Sequence, residues 1–225
     1  SRETEFVLNY FHVEPPRLCT DVSPQIKDID IRRQPGIDGE MSVKAAWALM
    51  RDVEIDTLCI TDPTNEMLGL ISVKDTATAN VDLFGTGVLA DAKTSYRNVL
   101  STLEGAMPVG DPDGVITSGK IYIGAASPDA MEGVVRPGDL VLVSDRYENQ
   151  ICAIECDAGC VVVCGGSAVP RTIAARAQEK GCCVITTPYD TYAAARLVSQ
   201  AAPVRHFMRS EALMKFSVNP PIEDA

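Results

Sequence analysis

Leu140-Val141-Leu142-Val143-Ser144-Asp145-Arg146 opens the stretch that decides the fold. Residues 140–143 are an unbroken apolar run, too short for a helix and too uniform for a strand with one wet face. That pattern predicts a strand covered on both sides. Residues 146–156 carry a helical pattern. Cys160-Val161-Val162-Val163-Cys164 is a second apolar run, residues 169–180 a second helix, and Gly181 supplies a natural helix stop. Residues 182–186 then give a third strand and residues 191–200 a third helix, with Pro203 beyond it. Short apolar strands alternating with helices require crossover connections, so the expected fold class is α/β with a mainly parallel sheet.

Working back along the chain, residues 39–77 form a different unit. Ser42 is placed to cap a helix whose apolar positions are Val43, Ala46, Trp47 and Met50, at i, i+3, i+4 and i+7. Residues 57–60 read as a strand, Asp62-Pro63-Thr64-Asn65 as a turn, residues 67–71 as a second strand, and a helix starts at Val73. From Asp82 to Lys93 the pattern is loose. A helix resumes with Tyr96, Val99, Leu100 and Leu103 on one face. At the front, Phe6, Val7, Tyr10 and Phe11 are helically spaced and Pro15-Pro16 ends that helix.

The chain has 225 residues, 46% hydrophobic, enough to bury a sizeable core. Acidic residues outnumber basic ones, 31 to 20, for a net charge of −11. Such a surface repels polyphosphate backbones and argues against nucleic-acid binding, while leaving room for a small nucleotide on a local donor cluster. No apolar run approaches bilayer length, and no basic segment leads into an apolar one at the front, so a cytoplasmic protein is expected, off the membrane. Of the eight cysteines, Cys152, Cys156, Cys160 and Cys164 recur at every fourth position, a spacing that resembles a metal array. Cys160 and Cys164 bracket a strand, there is no C-x-x-C pair, and His12 and His206 are far away, so buried reduced thiols are the expectation, with no metal.

Gly69-Leu70-Ile71-Ser72-Val73-Lys74-Asp75 runs from a strand into a helix start. Ser72 and Asp75, three apart, make a capping box by spacing alone. The same geometry suits a ligand: free amides at the helix start attract phosphate, the Ser72 hydroxyl can donate to it, Asp75 can accept from ribose hydroxyls, and Lys74 adds charge. Spacing leaves both readings open. This run, with the capped helix 42–50 and the strand 57–62, resembles a CBS module, the adenosyl-nucleotide-sensing domain, over about 22–94. The resemblance implies phosphate contact at Ser72, ribose contact at Asp75, and a base held by the segment Gln34-Pro35-Gly36-Ile37-Asp38, so that Gly36 and Ile37 join Ser72, Lys74 and Asp75 as the candidate nucleotide-binding set.

Ser144-Asp145-Arg146, Gly165-Gly166-Ser167 and Thr187-Pro188-Tyr189-Asp190 fall at three successive strand ends, where α/β sheets usually bind ligands. The structural alternative is that Asp145 caps the next helix, Arg146 pairs locally and the glycines form a turn. Over 95–203 these residues resemble the DRTGG domain, with Tyr147-Glu148-Asn149 where the family has Thr-Gly-Gly. A structural or dimer-forming role is expected. Residues 204–225, beginning Val204-Arg205-His206-Phe207-Met208-Arg209-Ser210, resemble the start of a second CBS module, with Pro220-Pro221 opening a helix that the chain does not complete. CBS, DRTGG, CBS is the order of the insert in CBS-containing family II inorganic pyrophosphatases, and residues 1–21 are similar to the end of their DHH-domain segment before it. The resemblance implies a regulatory region without catalytic residues, joined to a manganese-dependent DHH catalytic domain. It further implies a homodimer that senses AMP, ADP, ATP or diadenosine polyphosphate, AMP and ADP inhibiting and the others activating. The alternatives are a dimerisation module with a decayed site, a regulator like those of phosphotransacetylases, and, remotely, a small enzyme using Asp145 and Asp190.

Overall fold

The computed structural model describes residues 2–14, 30, 34–82 and 87–211. Two compact units divide it: 1–34 with 212–225, and 35–211. The first includes helix α1 (Arg2–Tyr10), where Phe6 stacks on Tyr10 one turn later at 6.3 Å and no side chain of the helix is buried. The expectations placed on Pro15-Pro16, on the module boundary at 22 and on Pro220-Pro221 lie outside the described residues.

The second unit holds two sheets. The smaller comprises β1 (Ile37–Asp38), β2 (Thr57–Thr61) and β3 (Met67–Ser72) in that order, with β1 parallel and β3 antiparallel to β2. The β2–β3 turn is stabilised by Asp62, whose Oδ1 accepts the Thr64 and Glu66 amides and the Thr64 hydroxyl. Helix α2 (Val43–Val53) is capped as its sequence predicts, Ser42 Oγ accepting the Ala45 amide at 3.2 Å. Val43, Ala46 and Met50 enter a core with Ile37, Leu58, Ile60 and Ile71. Trp47 does not: it is 44% exposed, because the buried stripe is narrower than the apolar spacing suggests. Helix α3 (Val73–Asp82) follows β3 directly.

After α3 comes α4 (Val88–Asp91), a single turn where the sequence promised only a loop, and α5 (Tyr96–Leu103), capped by Ser95. The larger sheet has the order β4-β8-β7-β6-β5, from β4 (Ala106–Val109), β5 (Ile121–Ile123), β6 (Leu140–Val143), β7 (Cys160–Val163) and β8 (Cys183–Thr186). All neighbours are parallel except β4 against β8. Every residue of β6 and β7 is buried, as two covered faces require. Leu140, Leu142, Cys160 and Val162 face a layer containing α4, α5 and α9 (Thr191–Val198). Val141, Val143, Val161 and Val163 face the opposite layer of α6 (Pro128–Glu132), α7 (Tyr147–Glu155) and α8 (Arg171–Lys180). Fully burying one such side chain contributes about 2 kcal/mol, so this double-sided sheet is the main source of stability. Gly181 ends α8 at φ 68°, a left-handed position that suits glycine.

Residues 204–211 return to the small sheet. Val204 is buried in its core, Phe207 and Met208 lie against it, and Arg209 forms an antiparallel bridge with Leu70 on the open edge of β3. The two sheets are tied by Lys44, which donates to the Thr102 carbonyl at 2.7 Å with its ammonium 5.8 Å from the Tyr189 ring centre.

Candidate functional site

The β3–α3 junction forms a reciprocal capping box. Asp75 Oδ2 accepts the Ser72 amide at 2.9 Å and the Ser72 hydroxyl at 2.6 Å, while Ser72 Oγ accepts the Asp75 amide at 3.3 Å. Asp75 Oδ1 faces a partner far along the chain: Arg209 donates Nε at 2.8 Å and a terminal nitrogen at 2.5 Å, both to this one oxygen. The carboxylate is 13% exposed. Burial pushes its pKa up; the Ser72 hydroxyl and amide and the Arg209 guanidinium together outweigh burial and hold it below the ordinary value. Lys74 is exposed in the first turn of α3.

Gly36 and Ile37 lie across the same sheet. Ile37 is buried, its side chain committed to the core and its position paired with Ile60. Gly36 lies so close to Thr61 that a Cβ there would come within 2.2 Å of the threonine methyl. Ser72 pairs with Thr57 at the other end of β2. Three strand residues separate these levels, about 10 Å. Ser72, Lys74 and Asp75 come together at the start of α3, while Gly36 and Ile37 lie on the β1 side of the small sheet, across β2 from β3. The pairing of Arg209 with Asp75 escaped the sequence reading: the two are 134 positions apart, and the stretch 204–210 carries no signal that points back to α3.

The three strand-end loops of the larger sheet are in place, and most of their polar groups are engaged. Gly165 and Gly166 have φ of 87° and 72° and donate to the Tyr189 and Thr187 carbonyls. The Thr187 hydroxyl donates to the Leu103 carbonyl at 2.6 Å, Tyr189 donates to Glu104, and Asp190 caps α9 by accepting the Ala193 amide at 2.7 Å. A cavity of about 380 Å³ lies beside these loops, lined by Glu104, Gly166, Ser167 and Thr187 among others. Asp145 does not cap α7 as its position suggested: the cap residue is Arg146, without a side-chain cap bond, and both are exposed. Cys152 belongs to α7 and Cys160 to β7, and neither they nor Cys156 and Cys164 form a disulfide. Burial raises the thiol pKa of Cys152 and Cys164 to about 11 and of Cys182 to about 12. Among the described residues no three His, Cys, Asp or Glu side chains converge to hold a metal ion, and no helix is long and apolar enough to cross a membrane.

With this geometry in hand, the alternating elements from α5 to the end of α9 match the DRTGG domain family over residues 98–201. The chain carries a DRTGG domain. Around that domain it is similar to the cobalt-dependent inorganic pyrophosphatase of Clostridium perfringens, 30% identical over 224 residues, covering all of this chain and 41% of the relative. It is also similar to the probable manganese-dependent inorganic pyrophosphatase of Thermotoga maritima, 22% identical over 204 residues, covering 91% of this chain and 37% of the relative. This DRTGG-containing chain thus spans about two fifths of the length of the curated relatives it matches. A crystal structure of the CBS and DRTGG domains of the regulatory region of Clostridium perfringens pyrophosphatase, complexed with the activator diadenosine tetraphosphate, superposes with a TM-score of 0.83. That comparison is 28% identical in sequence and covers 89% of this chain and 87% of the other. The chain is homologous to that regulatory region, and its mixed α/β architecture is the same.

Proposed function

We propose that this chain is an adenine-nucleotide-binding regulatory region that controls an inorganic pyrophosphatase, and that it hydrolyses nothing by itself. The observation that carries the reading is the match, over nearly its whole described fold, to a CBS–DRTGG region complexed with diadenosine tetraphosphate. The small sheet with α2 and α3 is the CBS module, within 22–94; the DRTGG domain occupies 95–203; residues 1–21 lead from a DHH catalytic domain, and 204–225 begin a second CBS module. The divalent metal, manganese or cobalt as in the names of the relatives, belongs to the catalytic domain.

Within the CBS module, Asp75 accepts from the ribose hydroxyls. Ser72 and the amides at the start of α3 face the phosphate, with Lys74 adding charge. Gly36 and Ile37 offer backbone to the base, since Ile37 keeps its side chain in the core. AMP and ADP inhibit, and ATP or diadenosine polyphosphates activate, through different affinities for two states of a homodimer. Isothermal titration with AMP and with diadenosine tetraphosphate tests this: micromolar binding, lost in Asp75→Ala, is the expected result, and no heat from either ligand overturns it.

One observation favours a second reading, a structural module with a decayed site: Ser72 and Asp75 already satisfy each other. Binding that survives Asp75→Ala unchanged, or no binding together with a stable dimer in sedimentation, would select it.

A further inference from the structure

An ionised carboxylate has about four acceptor positions. Those of Asp75 are full. Oδ2 takes the Ser72 amide and hydroxyl, and Oδ1 takes two nitrogens of Arg209. Ser72 Oγ is likewise engaged, donating to Asp75 and accepting from its amide. A ribose that hydrogen-bonds to Asp75 must displace a donor already there. The two candidates differ in what holds them. Ser72 is three residues away on the same junction, and its bonds to Asp75 close the start of α3. Arg209 reaches in from a separate segment, with its side chain 60% exposed and its backbone fixed by reciprocal bonds to Leu70 at 3.0 and 2.8 Å. Its guanidinium can leave without disturbing either the cap or the bridge, and water receives it.

The geometry points to Arg209 as a latch on the nucleotide site, held on Asp75 Oδ1 and yielding it to the vicinal hydroxyls of a ribose. This rests on the proposed nucleotide site at Ser72 and Asp75. The latch sets a threshold: apparent affinity is the intrinsic affinity reduced by the fraction of molecules in which Arg209 has let go.

Adenosine is the probe, because it offers the ribose without a phosphate to attract the freed guanidinium. Titrations compare the wild-type chain with Arg209→Ala, Arg209→Lys and Asp75→Asn at low and high salt. The ion pair is partly exposed, so its removal tightens adenosine about three- to tenfold, with Arg209→Lys between. Added salt screens the pair, so wild-type affinity rises with salt and that of Arg209→Ala does not. Equal affinity in the wild type and Arg209→Ala, with binding lost in Asp75→Asn, overturns the latch and leaves the nucleotide site standing. Adenosine binding by none of the proteins, Arg209→Ala included, overturns both.

Discussion

Thr187→Val tests whether the strand-end loop 187–190 is held by its own structure. The side chain is 1% exposed; its hydroxyl donates to the Leu103 carbonyl at 2.6 Å and accepts the Tyr189 amide at 3.2 Å. Leu103 is the last residue of α5, and Glu104 turns left-handed after it at φ 49°, so the Leu103 carbonyl has no further turn of helix to accept from. Valine has the same shape and neither bond. Leaving a buried carbonyl unpaired costs about 1–3 kcal/mol. The Tyr189 amide is less enclosed and its bond longer, and the added methyl recovers part of the loss, so the net expectation is about 2 kcal/mol. In urea denaturation the midpoint should fall with an unchanged slope, and the melting temperature should drop by about 4–8 °C. Thr187→Ser keeps both bonds and loses one methyl, about 1 kcal/mol or less. A Thr187→Val protein within about 0.5 kcal/mol of wild type, with Thr187→Ser less stable, would refute the assignment and place the contribution in the methyl group.

Other expectations follow from the same structure. Asp75 has a depressed folded pKa, so its contribution is present above the ordinary value of 3.8 and lost as pH falls through the lower folded value. Wild type should therefore exceed Asp75→Asn by about 2 kcal/mol near neutrality, and the gap should narrow as pH falls below the ordinary value of 3.8 in denaturation series; a constant gap would contradict this. Gly36→Ala drives a Cβ into Thr61 and should be destabilising by about 1–3 kcal/mol, relieved in part by Thr61→Ser, as thermal melts of the single and double variants would read. With a thiol reagent near pH 8, Cys59, Cys156 and Cys183 should react before Cys152, Cys160, Cys164 and Cys182, which burial keeps protonated; fast labelling of Cys160 in the native protein would count against the fold.

Much of the architecture was legible because strong local signals coincided with it. The uniform runs 140–143 and 160–164 announced a sheet covered on both faces, Gly181 marked a helix end, and Ser42 sits where a cap forms. The unread elements lack such signals. The β4 strand is four residues containing Pro108, tolerated because it is an edge strand; β5 is three residues at the other edge; α4 is a single turn. At the candidate site, the bond between Ser72 and Asp75 could be read from spacing, because it is local. Arg209 could not, because its approach to Asp75 depends on the chain returning to β3 after the entire second sheet has formed.

The most direct test of the nucleotide-sensing account is to titrate isotopically labelled chain with AMP and follow backbone amide resonances. The account predicts saturable shifts concentrated at Ser72, Val73, Lys74 and Asp75, with a second group at Gly36 and Ile37. Saturable shifts confined to Asp145, Gly165, Gly166 and Tyr189, with the β3–α3 junction silent, would contradict it and move ligand binding to the DRTGG loops.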